Sequence, residues 1–287
     1  MRSSRHVWVA LAALTLVAAC GGDDDTAAAD DEAPAADACD PLPTHEPGKL
    51  TVATGEPVFE PWMVDDDPAN GEGFESAVVY ALADELGLDS GDVEWVRTGF
   101  DEAIAPGDKP YDFNIQQYSI TEERAEVVGF SIGYYQVEQA IIAAPDNPVA
   151  NAGSLADLTS ARLGAAIGTT SLDYIDDVIE PDSDAQVYND NAAAKAAFDA
   201  GQVDGIVFDL PTAYFITAVE IPEAEIVGVL PRVDPEGAEE LGLLFEQDAP
   251  LIDCVNPALQ ALHDDGTIAA LEEEWLAQSG DIPTLEQ

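Results

Sequence analysis

Positive charge is scarce in this chain. Nine Lys and Arg stand against 58 Asp and Glu, a formal net charge of −49. No basic stripe can be assembled on that background, which excludes a nucleic-acid-binding protein. Cysteine and histidine are few, three of each, and His45 and His263 stand isolated, so no clustered metal-ligand pattern is present. No Gly-x-x-x-x-Gly-Lys-Ser/Thr loop or Gly-x-Ser-x-Gly elbow occurs, so the chain carries neither an ATPase phosphate loop nor that hydrolase nucleophile. The one long apolar run, residues 7–19, is too short to span a bilayer.

That run follows Arg2 and Arg5 and ends in small residues, the layout of a secretory signal over residues 1–19. Val17-Ala18-Ala19-Cys20 resembles a bacterial lipobox, which implies that Cys20 is lipidated and begins the mature chain. Without residues 1–19, which hold two Arg and no acid, the formal charge becomes −51, an excess suited to a solvated acidic surface. Residues 20–47 are mostly Ala, Asp, Glu and Pro and cannot bury enough surface to offset their ordering entropy, so they read as a disordered tether. Two cysteines remain, Cys39 and Cys254. In an exported protein an even pair reads as a disulfide.

From residue 48 onwards the apolar content supports a packed core, at a length that suggests two lobes. The order strand, helix, strand, helix, strand over residues 49–115 predicts a parallel α/β lobe, with a helix over 74–86 stopped by Gly87. A second α/β run follows over residues 139–240, with strands at 162–167, 186–188 and 203–208. A strand at 241–245 and helices at 250–263 and 268–277 return the chain to the first lobe. Lobe one is thus residues 48–138 plus 241–283, and lobe two residues 139–240. Two crossings predict a hinge of paired strands, as in proteins that close on a ligand.

Several motifs then fall in order. Gly73-Phe74-Glu75 opens the first helix. Ser119-Ile120-Thr121-Glu122-Glu123-Arg124 precedes Phe130-Ser131 and Tyr134-Tyr135. Gly168-Thr169-Thr170 opens a helix, and Gly201 to Gly205 leads to Asp209. Asp265-Gly266-Thr267 leads to Trp275. Together, over residues 50–280, they resemble the polar amino-acid-binding branch of bacterial ABC-transporter solute-binding proteins (extracellular solute-binding protein family 3). The resemblance implies the two-lobed periplasmic-binding-protein-like α/β fold, each lobe a mixed sheet flanked by helices. It also implies a monomeric receptor without cofactor, anchored outside the cell membrane, that delivers a free amino acid to permease subunits.

The residues suit that chemistry. Arg124 can fork two hydrogen bonds onto an α-carboxylate, assisted by Ser119. Gly168, Thr169 and Thr170 present helix-start N–H groups from the other lobe. The resemblance places the ligand's ammonium on Asp209. Phe59 is the expected stacking aromatic, Trp62 a packing residue, and Phe100 and Gln117 further wall contacts; Glu56 is a candidate partner for a cationic side chain. Taken singly, Arg124 reads as a surface charge pairing with Glu122 or Glu123, and Asp209 as a helix N-cap. Gln116-Gln117-Tyr118 departs from the small residues that the family often has there. An enzyme on the same scaffold, a dehydratase for a prephenate-like acid, is the alternative; it leaves Asp209 without an ammonium to hold.

Overall fold

The structure, a computed structural model, describes residues 39–233, 237–276 and 282–287. The signal segment, Cys20 and the start of the tether lie outside the described residues.

Lobe one is built on β1 (Leu50–Thr54), five residues buried on both faces. Such a strand must sit mid-sheet with helices on either side. Its neighbours β2 (Val93–Arg97) and β3 (Phe113–Asn114) run parallel to it. Between β1 and β2 lies α1 (Phe74–Glu85), which buries Phe74, Val78 and Leu82. It starts at Gly73, where φ is +94° and a Cβ would lie 2.6 Å from the Trp62 carbonyl oxygen. Only glycine tolerates both conditions. Two short helices follow, α2 (Phe100–Ile104) and α3 (Glu122–Ala125). Then comes β4 (Gly129–Val137), a nine-residue strand.

One residue later the chain enters lobe two as β5 (Gln139–Ala143). Here β6 (Leu163–Ala166) leads into α4 (Thr170–Tyr174), which continues as a π-helical turn to Ile179. After β7 (Gln186–Tyr188) and α5 (Asn191–Asp199), β8 (Gly205–Asp209) delivers Asp209 at its last position. α6 (Leu210–Phe215) and β9 (Glu225–Val229) complete the lobe. The return crossing is β10 (Glu239–Phe245), followed by α7 (Ile252–Asp264) and α8 (Thr267–Trp275). The sheets run β2-β1-β3-β10-β4 and β7-β6-β8-β5-β9, each with three parallel strands followed by a crossing strand, β10 or β5, that is antiparallel to both its neighbours. The predicted hinge is present: β10 pairs antiparallel with β4, Glu239 opposite Val137, where both strands cross between the lobes.

Two segments depart from expectation. Residues 39–47, assigned to the tether, lie against lobe one: Leu42 packs on its core and Asp112 accepts a hydrogen bond from the His45 N–H. The covalent reason is the Cys39–Cys254 disulfide, which bonds this arm to α7. At the other end, residues 282–287 belong with lobe two, against the expected lobe-one boundary at residue 283. Val229 N–H donates to the Pro283 carbonyl, Leu285 N–H donates to the Val229 carbonyl, and Leu285 is buried in the lobe-two core.

The disulfide closes a sequence separation of 215 residues. Cross-links over loops this long stabilise by roughly 2–5 kcal/mol. Cys254→Ser is therefore expected to lower Tm by about 5–15 °C. An unchanged melting curve would show that the bridge contributes nothing to the fold.

Candidate functional site

Between the lobes lies a cavity of about 270 Å³. From lobe one it is lined by Phe59, Phe100, Gln117, Ser119 and Arg124, and from lobe two by Thr169, Thr170 and Asp209. Gly168 is not on the wall; its carbonyl accepts a hydrogen bond from Arg124. The positions come from strand ends and loops at the facing edges of two α/β sheets, where such sheets bind ligands.

Arg124 sits in the single turn of α3, whose start is fixed by the Thr121 hydroxyl accepting the Arg124 N–H at 3.2 Å. Its side chain turns inward and only 7 % of the residue is exposed. Nη1 donates to the Ser119 carbonyl at 2.7 Å, and Nη2 crosses the cleft to the Gly168 carbonyl at 2.9 Å. Among the described residues no carboxylate forms a salt bridge with it. The surface-pairing reading with Glu122 or Glu123 therefore does not hold. Burial lowers its pKa, opposed by more distant acids led by Asp173, and a guanidinium stays charged through such a shift. The guanidinium carbon lies 5.6 Å from the centroid of the Phe100 ring, which stacks on Tyr118 at 4.5 Å. Phe100 thus both lines the cavity and supports the cation by its ring face. Tyr118, part of the unexpected Gln116-Gln117-Tyr118 run, is wholly buried beneath it.

Asp209 starts α6 but makes no side-chain cap, so the helix-cap reading fails. Its carboxylate instead accepts from Gln139 Nε2 at 2.7 Å. Burial first, then repulsion from Glu239, pushes its pKa up to about 7. Thr169 does act as the α4 cap, accepting the Leu172 N–H and donating its hydroxyl proton to the Ala166 carbonyl. Trp62 packs as expected but also reaches across the cleft, Nε1 donating to the Thr212 hydroxyl at 2.9 Å.

Three further acceptors and donors surround the site: Glu75, which the sequence marks only as part of the Gly73-Phe74-Glu75 motif, and Gln139 and Glu239, which it does not mark as site residues. Glu75 is fully buried in the first turn of α1. It accepts from Tyr134 OH, Gln117 N–H and the Gln117 side-chain amide. Burial outweighs these bonds and raises its pKa to about 7. Gln117, held at φ +53°, therefore spends its amide on Glu75 while still bordering the cavity. Glu239, first residue of β10, accepts from the Ser119 hydroxyl at 2.6 Å and the Thr170 hydroxyl at 2.7 Å. Its only sequence signal is its place at the return crossing.

Two mixed sheets, hinged by paired strands around a charged cleft, define a clamshell receptor for a small polar solute. The chain belongs to the bacterial extracellular solute-binding proteins, family 3, the family model matching residues 50–278. It is 29% identical over 216 residues to the ABC transporter arginine-binding protein 1 of Escherichia coli K12, covering 73% of this chain and 84% of that one. It is 24% identical over 233 residues to the L-cystine-binding protein TcyJ of the same strain, covering 80% and 83%. Among solved structures, an ancestral arginine-binding protein bound to arginine superposes with a TM-score of 0.68 at 28% identity, over 80% of this chain and 99% of that one. An ancestral amino acid-binding protein, a precursor of cyclohexadienyl dehydratase, superposes with a TM-score of 0.66 at 29% identity, over 80% and 96%.

Proposed function

We propose that this protein is the extracytoplasmic receptor of an ABC importer, capturing a free amino acid by lobe closure and handing it to the membrane permease. The observation that carries the reading is Arg124: among the described residues it is a buried cation in no salt bridge, and across the cleft Asp209 is a half-buried carboxylate in no salt bridge either. A zwitterion satisfies both, its carboxylate on the guanidinium and its ammonium on Asp209. Ser119, Thr169 and Thr170 complete the clamp, Gly168 holding the guanidinium from behind through its carbonyl, with Phe59 and Phe100 against the ligand's apolar part and Gln117 at its edge. Because the two charges are offered from different lobes, the ligand stabilises the closed form by bridging them.

The wall also carries Glu56, Glu75 and Asp190, with Arg124 the one cation among the described residues that line it. That imbalance favours a ligand with a second positive group, a basic amino acid, and the arginine-binding relatives point the same way. Anchoring through a lipid on Cys20, after removal of residues 1–19, would keep the receptor beside its permease. A dehydratase acting on an acid without an ammonium leaves Asp209 without a partner, so capture is preferred to turnover.

A thermal-shift screen over the amino acids tests this. A ligand at a hundredfold excess over its Kd stabilises by about 2.7 kcal/mol, several degrees of Tm at this size. L-arginine and L-lysine are expected to give the largest shifts and L-glutamate none. A flat screen sinks the ligand class, and product formation without partners sinks the transport role.

A further inference from the structure

A hydroxyl has one proton to give. The Ser119 hydroxyl, from lobe one, donates to Glu239 Oε1 at 2.6 Å. The Thr170 hydroxyl, from lobe two, donates to the same oxygen at 2.7 Å. The neighbouring hydroxyls are spent as well, Thr169 on the Ala166 carbonyl and Ser171 on the Gln139 side-chain oxygen. Gln139 in turn gives one Nε2–H to Asp209 at 2.7 Å, while the other faces Glu239 at 3.4 Å and, at 3.5 Å, one lone pair of the Thr170 hydroxyl, which leaves that oxygen a second one. Glu239 is not itself on the cavity wall, whereas Ser119 and Thr170 are. What those two hydroxyls offer the cavity is therefore lone pairs, not protons.

We infer that Glu239 is a positioning residue for ligand selectivity: standing behind Ser119 and Thr170, it fixes both hydroxyls as acceptors for the ligand's ammonium. The carboxylate is left to Arg124, whose guanidinium has five N–H donors, two of them engaged on carbonyls, and to backbone N–H groups. This revises the part Ser119 and Thr170 play in the amino-acid site and rests on that reading of the ligand. The arrangement spans the cleft, because Thr170 opens α4 behind β6 of lobe two and Glu239 starts β10 of the lobe-one sheet. A glutamine at 239 would point an NH₂ group at one hydroxyl, whose proton would then turn into the cleft against the ammonium.

The test compares wild type and Glu239→Gln by calorimetry with three ligands: L-arginine, its desamino analogue δ-guanidinovalerate, and its decarboxylated analogue agmatine. If the Tm screen selects another amino acid, the corresponding trio is used. In the variant, arginine and agmatine are each expected to bind about tenfold to a hundredfold more weakly, and δ-guanidinovalerate about as well as before. Preference for arginine over the desamino analogue thus collapses, while preference over agmatine is kept. Equal losses for all three ligands overturn the inference, since damage to folding or closure does not distinguish an ammonium. Should Glu239→Gln fail to fold, Thr170→Val removes one of the two links, and its expected signature is a smaller loss with the same pattern. Wild-type protein that binds no amino acid overturns the parent reading; wild type that binds one, with an unchanged preference in the variants, overturns this inference alone.

Discussion

Arg124→Ala is expected to lower affinity for the captured amino acid by about thirtyfold to several-thousandfold. Truncating one partner of a buried, hydrogen-bonded charge pair costs roughly 2–5 kcal/mol, because the other charge is left in the cleft unpaired. The same change should move the Tm of the ligand-free protein little. In the empty cleft the guanidinium gains two carbonyl bonds but is held in a buried site with no counter-charge, and these effects oppose each other. Arg124→Lys is expected to bind nearly as poorly as the alanine variant. A single ammonium cannot reach Ser119 and Gly168 on separate lobes and still fork onto a carboxylate. Calorimetric titration of the three proteins decides it: an alanine variant within threefold of wild type would remove Arg124 from the site.

Asp209→Asn is expected to have a comparable effect on binding but, unlike Arg124→Ala, a pH-dependent effect on stability. The Asp209 carboxyl has its pKa raised from 3.8 to about 7 in the folded protein. Between those values the native state holds a proton that the unfolded chain releases, so stability contributed at low pH is lost as pH rises through 7. Removing the charge should make the ligand-free protein more stable than wild type at pH 8, with little difference at pH 4. Binding has the reverse sign. An ammonium requires the ionised form, so wild-type affinity should rise with pH up to about 7 and then level, with a proton released on binding. The asparagine variant should bind weakly and lose that slope; any slope that remains belongs to Glu75, raised to a similar value. A variant that binds as tightly as wild type, or melts lower at pH 8, removes Asp209 from the ammonium site.

Much of this was legible in the chain, and the reasons are local. Gly73 and Gly87 bracket α1, and Asp209 lies where an apolar run stops. The paired-strand hinge followed from counting crossings. The strand β4 was not legible, because Gly129, Gly133 and its mixed polar and aromatic residues break the period-two pattern. Its register against β10 also shifts twice, which removes the alternation a single pleat would impose. Glu75 hides for a different reason. An acid in the first turn of a helix ordinarily faces water and the helix dipole, and its burial depends on Tyr134 and Gln117, far away in sequence. Glu239 lies in a stretch so acidic that one more carboxylate carries no signal until the fold brings Ser119 and Thr170 onto it.

The last six residues carry a consequence of their own. β9 is the outermost strand of its sheet, and its backbone is met from outside by Pro283, Thr284 and Leu285. An unmet strand edge is a template on which a second copy of a protein can extend the sheet. Residues 283–285 cover that edge at Val229: shortening the chain past Thr284, or pulling it away with a fusion, would empty the niche of Leu285 and leave the Val229 edge unmet.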